Sequence, residues 1–216
     1  MKKLMYLFVM AATLPLAFVS CDKDDDGGGG GSVISEITAT DVNDKYGGSS
    51  QIVTVKAFIS RRYYNPRLGM EGEILARAPY INNGFVLELP ATMDTKYLEL
   101  FPEDLLNTIS ISDKSVRLFR FDDIAAFDVN DKEVGFFYLE TGDTAATDIF
   151  VSWFYVDKNV TVKGKIELGN EIYNYNLILK KGWNVVYVNS TKNGVTYTSQ
   201  KSSGETYSWN FYPIYH

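Results

Sequence analysis

The chain has 216 residues, 45% hydrophobic and 14% aromatic, with 27 acidic against 21 basic side chains and a net charge of −6. That apolar content supports a real core, and the acidic balance argues against binding nucleic acid through phosphate neutralisation. One cysteine, Cys21, and one histidine, the terminal His216, exclude a disulfide framework, a Cys/His zinc site and a His- or Cys-based nucleophile.

The first element in the chain is a leader. Lys2 and Lys3 precede an apolar run from Leu4 to Val19, and small Ser20 stands before Cys21. The run is shorter than the about 20 apolar residues that a membrane span needs, so it reads as a cleavable secretory signal. Phe18-Val19-Ser20-Cys21 resembles a bacterial lipoprotein signal, with Phe18 where leucine is usual. The resemblance implies a signal peptide over residues 1–20 and acylation of Cys21, which then becomes the first mature residue and consumes an otherwise oxidisable thiol.

Residues 21–31 read as a tether. Asp22-Lys23-Asp24-Asp25-Asp26 and the glycines Gly27 to Gly31 cannot bury apolar surface. A glycine-rich coil of this length reaches on the order of 10–20 Å from a bilayer. Lys23, Asp24, Asp25 and Asp26 directly behind the cysteine resemble the surface-export signal of Bacteroidota lipoproteins. That resemblance implies an outer-membrane protein facing the cell exterior, with the lipid anchor as its membrane contact. A charge run that keeps the linker off anionic headgroups is the alternative reading.

From Val33 onward, period-two alternation with β-branched and aromatic residues predicts about twelve short strands. In chain order they are 33–40, 51–59, 73–80, 85–89, 116–121, 133–140, 149–156, 159–166, 172–179, 184–189, 195–200 and 207–212. Asn82-Asn83-Gly84, Asp157-Lys158-Asn159, Gly169-Asn170, Lys181-Gly182 and Asn193-Gly194 supply turn residues, so sequential strands are expected to pair as antiparallel hairpins. Only Asp94 to Asn107 lacks the alternation, and it reads as a short helical crossover. The expected fold of residues 32–216 is an all-β antiparallel sandwich, with a calycin-like β-barrel as the alternative and with halves near 32–107 and 108–216 a further possibility.

Two resemblances bear on this part. Val53–Ala57, Gly72–Ala76 and Asn83–Pro90 resemble a transthyretin-like sandwich module over residues 51–90, which favours sandwich over barrel. Lys180–Tyr187 and Tyr207–Tyr212 resemble strand pairs of uncharacterised Bacteroidota surface lipoproteins, which implies a class and a location.

Candidate sites are few. The phrase Asp-Val-Asn-Asp-Lys occurs at Asp41–Lys45 and again at Asp128–Lys132, and it invites a calcium loop. Lys45 and Lys132 fall where an oxygen ligand is needed, so Asx-turns at strand ends are the reading, and neither metal nor cofactor is expected. Asp122 with Asp123, or Glu140 with Asp143, are the carboxylate pairs open to glycoside hydrolysis, although solvated surface acids explain them without it. Aromatic side chains gather at Tyr63-Tyr64, Trp153-Phe154-Tyr155, Tyr173/Tyr175 and Tyr207/Trp209/Tyr212. Tyr63 and Tyr64, set in a loop between Arg61-Arg62 and Asn65-Pro66-Arg67, are the expected ligand contacts, and Asp143-Thr144-Ala145 resembles an O-glycosylation motif centred on Thr144. The composite expectation is a lipid-anchored, non-enzymatic surface module that recognises a glycan or protein through exposed loops. A barrel that carries a small apolar ligand, and a carboxylate-dependent glycan-active enzyme, are the alternatives.

Overall fold

The structure is a computed structural model that describes residues 33–59, 73–122, 124–141 and 147–214. Cys21, Lys23, Asp24, Asp25, Asp26, Tyr63, Tyr64, Asp123, Asp143, Thr144 and His216 lie outside the described residues.

The fold is all-β. Its strands begin with β1 (Val33–Ile34), β2 (Glu36–Ala39), β3 (Thr54–Phe58), β4 (Ile74–Pro79), β5 (Phe85–Glu88) and β6 (Glu99–Leu100). One short α-helix among the described residues, α1 (Glu103–Thr108), follows at the end of the crossover expected over Asp94 to Asn107 and runs one residue past it. Then come β7 (Ser110–Ile111), β8 (Arg117–Phe121), β9 (Ile124–Phe127), β10 (Glu133–Thr141), β11 (Thr147–Val156), β12 (Val160–Leu168), β13 (Glu171–Leu179), β14 (Gly182–Thr191), β15 (Gly194–Thr198) and β16 (Tyr207–Pro213).

These strands form a 14-stranded mixed sheet and a 2-stranded sheet, β2 with β5. The long path of the large sheet is β4-β3-β9-β10-β11-β14-β15-β13-β12-β7, and β1, β6, β8 and β16 pair beside it. Several hairpins join sequential strands, including β3–β4, β9–β10, β12–β13 and β14–β15. Others are long-range: β10 pairs β16, β11 pairs β14, and β13 runs parallel to β15. The path ends at β4 and β7, which do not pair, so the sheet is not a closed barrel and the calycin-like alternative is corrected. A physical reason is visible at the opening. In the curled part β6 pairs β8 and β7 pairs β12 but β6 and β7 do not pair, and α1, which joins them, packs Leu105 and Leu106 on the second cluster instead.

Two apolar clusters hold the sandwich. In the first, the β2–β5 sheet lays Ile37, Ala39, Phe85 and Leu87 over Val55, Ala57, Ala76, Ala78, Phe137, Trp209 and Phe211. The second lies on the concave side of β7, β8 and β11 to β15, where Ile111, Val116, Phe154, Val156, Val160, Val162, Leu177, Leu179, Val186 and Val188 meet. Strands from both ends of that arc reach one cluster, so the sheet curls around it. The β11–β14 pair is shared: Val151, Trp153, Tyr155 and Trp183 face the first cluster, while Phe154, Val156, Val186 and Val188 face the second. Alternation in β11 thus serves two cores and leaves neither face of that pair to solvent.

Local chemistry matches the turns. Asn82 and Asn83 take φ +52° and +59°, closing Ile81 on Gly84, as a primed two-residue hairpin turn requires. Trp183 Nε1 donates to Pro90 O at 2.8 Å and Trp209 Nε1 donates to Thr38 O at 3.1 Å, so both indoles bury their rings without orphaning their N–H groups.

Candidate functional site

The β10–β16 pair has one face in the core and one facing outward. Partner residues on adjacent strands share a face, and the register sets Phe136 beside Tyr212, Tyr138 beside Asn210, and Glu140 beside Ser208. All of these lie opposite the core residues Phe137, Trp209 and Phe211. The row through Phe136 continues to Ala125 of β9 and Lys56 of β3, where Phe58, Ala125 and Phe127 form a small buried cluster with Phe136 packed on it. The outer face therefore grades from apolar at β3 and β9 to amphipathic at β16.

The amphipathic end is organised around Glu140. Its Oε1 accepts from Asn210 Nδ2 at 2.9 Å and from the Tyr212 hydroxyl. Asn210 Oδ1 in turn accepts from Asn43 Nδ2 at 2.9 Å. The Tyr212 ring lies 5.4 Å from Tyr46 and 5.7 Å from Tyr138, the latter edge-on. Burial, then the bond to Glu140, pushes the Tyr212 phenol above its ordinary value, so the hydroxyl stays protonated and donating. Tyr46 is 48% exposed and presents its ring to solvent. The result is three phenol rings beside a carboxylate and two amides, a set that offers flat apolar faces and polar tips to a polyhydroxylated ligand.

Lys56 lies next to this surface. Its Nζ sits 3.9 Å above the Phe127 ring and 2.5 Å from Asp131 Oδ1. The ammonium is thus held by a carboxylate and an aromatic face at the apolar end.

The two Asp-Val-Asn-Asp-Lys phrases do different work. In the second, Asp128 Oδ1 accepts from Asn130 N at 2.8 Å and Lys132 N at 2.9 Å, an Asx-turn that joins β9 to β10 and presents Asp131 to Lys56. In the first, Val42 enters the core, Asp44 Oδ2 accepts from Ser49 N and Oγ, and the Asn43 backbone pairs with β16 through Trp209 O and Phe211 N. That backbone pairing is what brings Asn43 to Asn210. Among the described residues, no group of three or more His, Cys, Asp or Glu side chains is placed to hold a metal ion.

Searches against family models, curated proteins and solved structures find no match for this chain. The reading of the site therefore stands on its own geometry.

Of the aromatic groups singled out in the sequence, Trp153, Phe154 and Tyr155 are core, and so is Trp209. Tyr207 is half-buried and donates to Glu205 Oε2 at 2.8 Å. Tyr212 reaches the outer face and Tyr175 the rim of the second cluster. Of the carboxylates in the two candidate pairs, Glu140 is in the tyrosine cluster, and Asp122 accepts from the Ser152 hydroxyl and lies 3.7 Å from Arg120. Sequence reasoning missed Tyr46, Tyr138, Asn43 and Asn210 as site residues. Tyr138 and Glu140 lie at alternate positions of one strand, which is a usable signal. Asn43 and Asn210 are 167 residues apart and have none.

Proposed function

We propose that this chain is a lipid-anchored module of the outer bacterial surface that binds a glycan without transforming it, using the Tyr46, Tyr138 and Tyr212 rings with Glu140, Asn210 and Asn43. The observation that carries the reading is the Tyr212–Glu140–Asn210 arrangement beside the exposed Tyr46 ring. Phenol faces shield the C–H surfaces of a sugar ring, while the Glu140 carboxylate and the exposed Asn43 amide receive its hydroxyls and the buried Asn210 amide holds those two in place. The two donors on Glu140 Oε1 fix the carboxylate as an orienting acceptor. The anchor follows from Lys2, Lys3, the apolar run and Cys21, and the outward orientation from Lys23 to Asp26. Among the described residues no helix is long and apolar enough to cross a membrane.

The test is binding of the full-length chain, in detergent, to an array of neutral and acidic glycans. Tyr46→Ala removes the exposed ring and is expected to weaken saturable binding about tenfold, since a desolvated aromatic contact contributes on the order of 1–2 kcal/mol. Tyr212→Phe keeps the ring, removes the donor to Glu140 and is expected to weaken binding by less. Binding that survives both substitutions, or that is seen only with protein partners, removes this face from the reading. For the anchor, Cys21→Ala is expected to release the protein from the membrane fraction, and retention there overturns lipidation.

A further inference from the structure

A second cluster lies at the rim of the curled sheet, on the face of β11 that also carries Phe150, the register partner of Glu140. Arg120 is on β8 with its side chain on the concave side, in register with Phe154 and on the same face as Leu118. Against the desolvation of burial, Asp122 and the Tyr197 and Tyr175 phenols hold its guanidinium above the ordinary value, which sets Tyr197 of β15 near it although β11 and β14 stand between β8 and β15 in the sheet order. Leu118 beside it and Tyr175 and Tyr197 from the far strands all pack on the second cluster, so the bend of the sheet turns Arg120 and these rings towards the same concave face.

The groups around it are arranged in layers. Tyr175 and Tyr197 are partners in the parallel β13–β15 pair, and their rings stack 5.2 Å apart at 5°. Tyr173 stands two residues before Tyr175 on the same face and donates to Glu171 Oε2 at 2.5 Å. Asp122 is 3.7 Å from Arg120 Nη2, longer than a hydrogen bond, and it is already engaged by the buried Ser152 hydroxyl, which also lies 3.5 Å from Phe121 O. The Arg120 side chain remains 49% exposed. Its planar fork carries five N–H donors, more than the loose Asp122 pair engages.

We infer that this rim is a second subsite, selective for a carboxylate-bearing sugar such as a uronic acid, in which Arg120 receives the carboxylate and Tyr175, Tyr197 and Tyr173 line the ring. The inference rests on the glycan reading above but uses none of the same residues. Charge complementarity decides the occupant. Arg120 is a cation on a chain of net charge −6, and a planar carboxylate matches its fork in two parallel hydrogen bonds that the 3.7 Å Asp122 contact does not make. Asp122, tied to Ser152, stays in place as the ligand arrives and orients the guanidinium from behind.

The probes are oligomers of galacturonic acid and the same oligomers as methyl esters, titrated onto the full-length chain in detergent at low and moderate salt. The acid is expected to bind about tenfold or more tightly than the ester, with the preference shrinking as salt rises. Arg120→Gln is expected to remove the preference and leave ester binding unchanged. Arg120→Lys, which keeps the charge but loses the fork, is expected to retain only part of it. Unchanged Tm in both variants identifies the loss as one of recognition, and where either loses Tm, Tyr173→Ala, which strips a ring from the rim, is expected to weaken binding of acid and ester severalfold, with unchanged binding overturning the subsite. Equal binding of acid and ester by the parent chain, or a preference that persists in Arg120→Gln, overturns the subsite and leaves the Tyr46 face standing. No binding of either probe, together with an empty array, overturns both.

Discussion

Trp153→Ala is expected to be the most damaging single side-chain truncation in the core, lowering stability by about 4 kcal/mol and Tm by roughly 8–16 °C. Trp153 is 2% exposed and lies mid-way along a chain of rings that spans the first cluster. It stacks on Phe121 at 5.2 Å and on Trp209 at 5.9 Å with only 8° between the planes, and Trp209 continues edge-on to Phe85 of the small sheet at 5.2 Å. On the other side Phe121 meets Trp183 at 5.6 Å. Removing the central ring empties a site whose walls are themselves fixed, since Trp209 and Trp183 are each pinned by an indole hydrogen bond, so the cavity cannot collapse cheaply. Trp153→Phe keeps part of the stack and is expected to cost less than half as much. Urea midpoints of the two variants measure the difference, and a Trp153→Ala loss below about 1 kcal/mol would mean that the two layers are not joined through this ring.

Much of this layering can be read from the sequence because alternation is a direct record of which face is wet. In β12, Val160 and Val162 face inward while Lys163 and Lys165 face out, and alternation alone is enough to predict the strand. The same rule fails where both faces are dry. β9 reads Ile124-Ala125-Ala126-Phe127 and all four residues are buried, because Ile124 and Ala126 enter the first cluster while Ala125 and Phe127 pack with Phe58 on the other side. With no polar residue to mark a face, four apolar residues give no period, and β9 is absent from the strands that the pattern predicts. β6 and β7, two residues each, are too short to carry a pattern.

The candidate site is legible in part for a related reason. Parity along Tyr207–Tyr212 separates Trp209 and Phe211, which are core, from Asn210 and Tyr212, which turn outward. What the pattern cannot supply is the pairing of β16 with β10 and of Asn43 with Asn210, contacts 70 and 167 residues apart in the chain. Local periodicity tells which face a residue takes, while the identity of its neighbour on that face is settled by long-range register. The Arg120 rim makes the point more strongly, because it depends on the bend of a whole sheet.

The parallel β13–β15 pair in that sheet closes on one glycine, and Gly194→Ala is expected to cost about 3 kcal/mol or more. Gly194 opens β15 at φ +142°, a backbone region that side chains avoid, and a Cβ there would lie 1.9 Å from Ile172 O and 2.6 Å from Ile172 N. Those atoms are backbone and cannot swing aside. They belong to the first residue pair of the parallel β13–β15 ladder, Ile172 with Gly194, so relief of the clash must pull apart the strands whose further pairs include Tyr173 with Val195 and Tyr175 with Tyr197. Gly169→Ala is the matched comparison. Gly169 also has positive φ, +64°, but nothing lies within 4 Å of its added Cβ, so only the conformational penalty of about 1 kcal/mol remains. Denaturation midpoints should separate the two alanines by about 2 kcal/mol or more, and hydrogen exchange in Gly194→Ala should accelerate across Ile172–Asn176 while the β10–β16 amides keep their protection. Equal costs at the two glycines would show that the parallel pair tolerates separation, and the close approach at Gly194 would then not be what holds β15 against β13.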